Sequence, residues 1–290
     1  MGQRGQPKLD GMTLLRAGLA VATSAVLLVT MGCASPSANA RSSDPAVAST
    51  ATRTLPPTKG TFDYQLGGSY TPAKGVTVVT RDSTSTPAKG VYSICYVNGF
   101  QTQPGSSWPS NLILKNKAGK PIVDPGWPDE RIIDISTAAK RTAASKRINT
   151  MTDSCAAKGF RAEEFDNLDS YSRSKGRLTL SKSIAFAKLL VKHTHAKGLA
   201  ASQKNTGELG SRGKTSIGFD FVTTEECDVY SECGSFSKVY GTHVLDIEYT
   251  DDLRGTFAQV CARKDTPPQT ILRDRDLTTP KSKAYVYQTC

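Results

Sequence analysis

From residue 61 onward, short apolar segments alternate with longer stretches of helical periodicity. The short segments are 62–66 (FDYQL), 91–97 (VYSICYV), 132–135 (IIDI), 160–165 (FRAEEF), 199–203 (LAASQ), 217–222 (IGFDFV), 244–249 (VLDIEY) and 270–273 (TILR). Their length and apolar content predict β-strands. Between several of them lie amphipathic runs, of which 138–157 and 183–195 (SIAFAKLLVKHTH) carry apolar residues at helical spacing. Strand, helix, strand in repetition predicts a parallel sheet. Eight strands over this length predict one α/β domain, a single (β/α)8 TIM-type barrel spanning 61–290. The rival, a doubly wound open sheet, more often carries a glycine-rich phosphate loop after its first strand. Here that strand is followed by Gly67-Gly68-Ser69-Tyr70, which lacks the dinucleotide spacing.

The first 60 residues break this pattern. Residues 1–33 have a basic start (Arg4, Lys8, Arg16), an apolar run from Ala17 to Met31, and Gly32-Cys33-Ala34-Ser35. That is the form of a signal peptide. Gly before Cys is also how a lipoprotein cleavage site ends, with Cys33 taking the lipid. Residues 34–60 are rich in Ser, Ala, Thr and Pro without apolar periodicity, and are expected to be a flexible linker. The expected location is therefore outside the cell, secreted or anchored to the outer face of the membrane through lipidated Cys33.

The chain has seven cysteines, and removing Cys33 from the tally leaves Cys95, Cys155, Cys227, Cys233, Cys261 and Cys290. An even number suits disulfides in an exported protein. Cys227 and Cys233 are close enough to close a small loop; the other four allow alternative pairings. The formal charge is +11. The Lys and Arg are scattered rather than striped, and no nucleic-acid motif accompanies them, so no nucleic-acid partner is expected. A monomer is expected.

Against this basic background, AEEFDNLDSY (162–171) places Glu163, Glu164, Asp166 and Asp169 at the end of a predicted strand. Barrel chemistry sits at the C-terminal ends of the strands. Polar residues, most of them acidic or amide, recur there: Asp63 in the first strand, Asp166 and Asn167 after the fourth, Lys204 and Asn205 after the fifth, Glu225 and Glu226 after the sixth, Glu248 and Tyr249 at the end of the seventh. Two carboxylates from different strands suit glycoside hydrolysis: one protonates the leaving oxygen, and the other attacks the anomeric carbon or activates water. Asp166 and Glu225 meet that requirement. Only His193, His195 and His243 are present, so a His-rich zinc site is not expected. No GxSxG elbow supports a serine triad. No metal or cofactor is expected.

The blocks FDYQL (62–66), ICYVNGF (94–100), GWPDERIIDIS (126–136), GFRAEEFDNLDSY (159–171), GLAASQKN (198–205), FDFVTTEECDVYSEC (219–233), VLDIEY (244–249) and ILRDRDL (271–277) occur in this order. Together they resemble glycoside hydrolase family 114, the endo-α-1,4-polygalactosaminidases, over roughly residues 61–279. The resemblance implies a TIM-like barrel that hydrolyses α-1,4-linked galactosamine polymers with no cofactor. It marks Asp166, in the DN pair, and Glu225, two residues before the motif cysteine, as the catalytic carboxylates. By analogy with retaining barrel glycosidases, Asp166 would be the nucleophile and Glu225 the acid/base. The matched blocks offer Asp63, Tyr96, Asn167, Asp169, Tyr171, Lys204, Asn205 and Glu248 as substrate contacts, and a Cys227–Cys233 bridge as a brace for the Glu225 loop. Carboxylates at Asp63, Glu164, Asp169 or Glu248 would suit a cationic amino sugar. The alternatives are a non-catalytic carbohydrate-binding barrel and a hydrolase of a different envelope or biofilm glycan.

Overall fold

The structure, a computed structural model, describes residues 53–290. The expected signal peptide, the lipidation site at Cys33 and most of the expected linker lie outside the described residues. Residues 53–60 do not behave as linker. They lie against the barrel, where the Tyr92 hydroxyl donates to the Thr54 carbonyl at 2.6 Å and Thr77 Oγ1 to the Lys59 carbonyl at 2.9 Å.

One sheet carries the fold, with strand order β1 to β9. The strands are β1 (Thr61–Gln65), β2 (Val76–Asp82), β3 (Tyr92–Asn98), β4 (Ala162–Asp166), β5 (Ala200–Lys204), β6 (Phe221–Glu225), β7 (Val244–Tyr249), β8 (Gln269–Arg273) and β9 (Tyr287–Thr289). Neighbours from β1 to β8 pair in parallel, and β9 runs antiparallel to β8. The sheet curls into a nearly closed barrel. Its seam between β8 and β1 is held by side chains. Arg273, wholly buried, donates to the Tyr64 carbonyl and pairs with Asp63 at 3.3 Å. From β9, the Tyr287 hydroxyl donates to the Phe62 carbonyl at 2.8 Å.

The helices are α1 (Ala138–Lys158), α2 (Ser170–Arg173), α3 (Leu180–Ala196), α4 (Cys233–Tyr240) and α5 (Phe257–Cys261). Helix α1 shows why they form. Thr137 caps its first turn by accepting from the Lys140 amide at 3.2 Å, and Gly159, at φ 92°, turns the chain out of it. Its buried residues Ala144, Ser145, Ile148, Thr152 and Cys155 fall on one face and pack on the sheet. No helix joins β1 to β2 or β2 to β3, so helix and strand do not alternate evenly around the ring.

Two expected strands are corrected. Segment 132–135 is not a barrel strand. It belongs to a long excursion between β3 and α1, where Ile132 and Ile133 form isolated antiparallel bridges to Gln101 and Ile113. The second barrel strand is instead Val76–Asp82, which the apolar pattern did not single out. The expected sixth strand, 217–222, begins later, at Phe221: Gly213–Ile217 is π-helical, and Gly218 at φ 99° breaks the extended path.

Alternation along each strand divides the core. Phe62, Tyr64, Ile94, Ala162, Ala200, Phe221, Leu245, Ile247, Tyr249 and Ile271 fill the barrel interior. Cys95, Val97, Phe165, Ala201, Val222 and Val244 face the outer layer with Ile148, Phe186 and Leu190 from the helices. Among the described residues three disulfides bind the layers: Cys95–Cys155 joins β3 to α1, Cys261–Cys290 joins α5 to Cys290 beyond β9, and Cys227–Cys233 closes the loop before α4, as expected.

Candidate active site

The same backbone device recurs at the C-terminal ends of three neighbouring strands. The residue that follows each strand takes a left-handed conformation: Asn167 after β4 (φ 62°), Asn205 after β5 (φ 47°) and Glu226 after β6 (φ 59°). Asparagine tolerates this region; glutamate does so at a cost. Arg275 holds Glu226 in place, with Nη2 2.6 Å from Oε1. Each reversal leaves the last strand residue at the rim: Asp166, Lys204 and Glu225.

Asp166 and Glu225 receive matching support. The Tyr96 hydroxyl, from β3, donates to Asp166 Oδ2 at 2.6 Å, and the Asn167 amide donates to Oδ1 at 2.7 Å. The Tyr249 hydroxyl, from β7, donates to Glu225 Oε1 at 2.5 Å. Asn205 grips Glu225 twice: its Nδ2 donates to Oε2 at 3.0 Å, and its Oδ1 accepts the Glu225 amide at 2.7 Å.

Lys204 lies beneath them, almost wholly buried. Its ammonium is 3.3 Å from Glu225 Oε2 and 3.5 Å from Glu164 Oε1, and donates to the Tyr64 hydroxyl at 2.8 Å. Tyr64 in turn donates to Glu164 at 2.6 Å. Burial works against the ammonium, but Glu225, Asp166 and Glu164 outweigh it, so its pKa is pushed well up. Burial also disfavours the Glu225 carboxylate; Lys204, Tyr249 and Asn205 reverse this and hold its pKa below the ordinary value. At Glu164 burial wins and the pKa rises.

The remaining expected contacts divide. Asn167 donates from Nδ2 to Asn98 Oδ1 at 2.9 Å, and Asp169 pairs with Arg173 at 2.6 Å. Tyr171 reaches across to Glu208 on the following loop. Two expected contacts point elsewhere. Asp63 is locked in the seam with Arg273, Gln65 and Tyr70. Glu248 is wholly buried on the outer side of β7; it accepts from the Asp228 amide at 2.8 Å and lies beside Asp246 and the Cys227–Cys233 bridge. Burial raises the pKa of both Glu248 and Asp246. The strand's parity decides this: Leu245, Ile247 and Tyr249 share the interior face, so Tyr249 rather than Glu248 reaches the site. The alternation was in the sequence. Glu163 likewise faces outward, between Thr152 on α1 (2.9 Å) and Thr194 on α3 (2.8 Å).

The sequence reading passed over Glu130, which the excursion after β3 brings to the mouth. Asn98 Nδ2 donates to its Oε2 at 2.7 Å, and Asn98 is the register partner of Asp166. No periodicity signals this residue, because its position depends on the path of an irregular segment.

The barrel mouth thus offers a carboxyl pair from β4 and β6, each oriented by a phenol and an asparagine, over a buried cation. A glycoside-hydrolase family model, GH114, matches residues 42–290. No curated protein matches the chain. Among solved structures, Ega3 of Aspergillus fumigatus in complex with galactosamine is similar with a TM-score of 0.66 and 19% identity, over 82% of this chain and 98% of that one. The glycoside hydrolase domain of PelA from Pseudomonas aeruginosa is similar with a TM-score of 0.53 and 13% identity, over 79% of this chain and 98% of that one. At these identities the likeness is one of fold.

Proposed function

The chain belongs to glycoside hydrolase family GH114, and on that premise we propose that it cleaves α-1,4-linked galactosamine polymers internally, using Asp166 and Glu225. The observation that carries this reading is the paired construction at the rim. Two strand-terminal carboxylates from β4 and β6 each accept a phenolic hydrogen bond, from Tyr96 at 2.6 Å and from Tyr249 at 2.5 Å.

In this reading Asp166 attacks the anomeric carbon and forms the glycosyl-enzyme bond. Tyr96 and the Asn167 amide fix its two oxygens, so that attack costs little reorientation. Glu225 donates its proton to the departing glycosidic oxygen, then takes one from the water that releases the sugar. Lys204 favours the ionised form of Glu225, so the protonated form needed for the first step is favoured by acid. Asn167, Asp169, Tyr171 and Asn205 line the path as substrate contacts. Lys204 acts through Glu225 and not on the sugar, because it is only 2% exposed.

Three disulfides support an extracellular location. Export by residues 1–33, and anchoring through a lipid on Cys33, belong to the same proposal; mass spectrometry of the membrane fraction would detect the acyl chains. A monomer is expected by size-exclusion chromatography with light scattering. The decisive test is product analysis by mass spectrometry with α-1,4-galactosamine oligomers. Wild type should yield shorter oligomers, and Asp166→Asn and Glu225→Gln should not while remaining folded. Turnover within about tenfold of wild type in either variant would sink the assignment.

A further inference from the structure

Four carboxylates stand on the β3–β4 side of the mouth: Asp124, Glu130, Asp166 and Asp169. Arg173 pairs with two of them, with Nε 2.5 Å from Asp124 and Nη1 2.6 Å from Asp169, and the buried Lys204 ammonium acts on Asp166. Among the described residues no cationic side chain pairs with Glu130. Its one polar partner is the Asn98 amide, whose Oδ1 in turn accepts from Asn167. Glu130 is therefore two hydrogen bonds from the Asp166–Asn167 pair. It is 9% exposed and so largely removed from water.

A second observation points the same way. Gln101 is wholly buried within this group, and its Nε2 donates to Asp124 at 2.7 Å and to Asn167 Oδ1 at 3.2 Å. Its Oε1 is buried and accepts from no donor. An orphaned buried acceptor is costly. The cluster is thus short of both positive charge and hydrogen-bond donors, and an ammonium group supplies both.

We infer that Glu130 is the anchor for a protonated amine on the sugar unit bound against Asp166, and so sets the preference for free-amine over N-acetylated polymer. The inference rests on the proposed hydrolase reading and deepens it. The free protein is prepared for such a partner. Burial, with repulsion from Asp166 and Asp124, pushes the Glu130 carboxyl up to about 7 against the Asn98 hydrogen bond and the charge of Arg173. An ammonium at that carboxyl offsets the repulsion and stabilises its ionised form. An acetamido group brings no charge and adds bulk beside Asn98.

The test uses the full chain and two substrates, an α-1,4-galactosamine oligomer and its fully N-acetylated counterpart. The quantity read is the ratio of kcat/KM for the free-amine oligomer to that for the acetylated one. Glu130→Gln should lower this ratio at least tenfold, and Glu130→Asp, which keeps the charge, should restore part of it. An unchanged ratio in Glu130→Gln overturns the inference. Calorimetric binding of both oligomers to the catalytically silent Asp166→Asn protein, with and without Glu130→Gln, gives an independent reading. If wild type cleaves neither oligomer, the hydrolase reading fails. The binding ratio still decides the amine anchor: a tenfold fall supports it, and no change overturns it.

Discussion

Replacing Lys204 by methionine separates charge from shape at the centre of the site. Methionine keeps the length of the stem and removes the ammonium, 3.3 Å from Glu225 Oε2. At that distance two unit charges interact by about 5 kcal/mol at an effective dielectric of about 20, and by about 1 kcal/mol in bulk water. Glu225 does not lose the whole of the larger figure. Glu164 shares the same ammonium at 3.5 Å; deprived of it, a wholly buried carboxyl takes a proton, which removes a negative neighbour of Glu225. A net change of about 1.4–2.8 kcal/mol raises the Glu225 pKa by about one to two pH units. With Glu225 as proton donor, kcat/KM falls as pH rises through that pKa. The high-pH limb of the Lys204→Met profile should therefore move upward by about the same amount. The assay is a pH–rate profile, with a carbon-13 titration of the Glu225 carboxyl as direct readout and a melting curve as control of the fold. A limb and a carboxyl pKa that both move by less than about half a pH unit would refute the reasoning. If Lys204→Met instead moves the low-pH limb upward and leaves the high-pH limb in place, the roles of Asp166 and Glu225 are exchanged, because Glu225 would then be working in its ionised form.

Further expectations concern stability. Burial pushes the pKa of Glu163 up to about 8 despite hydrogen bonds from Thr194 and Thr152. Its contribution is complete below the ordinary carboxylate pKa and is lost as pH rises toward 8. Glu163→Gln should therefore match wild type near pH 4 and melt higher than wild type at pH 8 by calorimetry. Cys95–Cys155 closes a loop with sequence separation 60; the double alanine variant should lose about 4 kcal/mol in denaturant titration on the chain-entropy account. Arg273→Met leaves Asp63 buried without its cation and frees the Tyr64 carbonyl at the seam, so it should cost about 3–5 kcal/mol by the same measurement.

The class of architecture was legible in the chain's apolar pattern. Apolar segments of strand length, separated by helical runs, leave a parallel sheet closed by helices as the economical way to bury both faces of each strand. The same pattern also marked the strand ends at which Asp166 and Lys204 stand, since each comes directly after an expected strand, whereas the sixth strand ends at Glu225, three residues beyond the expected 217–222. Parity was legible too. Read against Leu245 and Ile247, it selects Tyr249 over Glu248, and read against Phe62 it selects Tyr64 over Asp63. Four features depend on the tertiary fold. Segment 132–135 is as apolar as a barrel strand, and only its bridges to Gln101 and Ile113 place it in the excursion. The disulfide partners of Cys95 and Cys261 depend on which helix lies over which strand. Glu130 reaches the mouth because an irregular segment folds back on β3, and Lys204 binds Glu164 and Glu225 because the barrel curls β4 and β6 toward β5. Local sequence sets which face a side chain takes. The closing of the ring sets what it meets there, and charge placed in that low-dielectric interior gives the site its character.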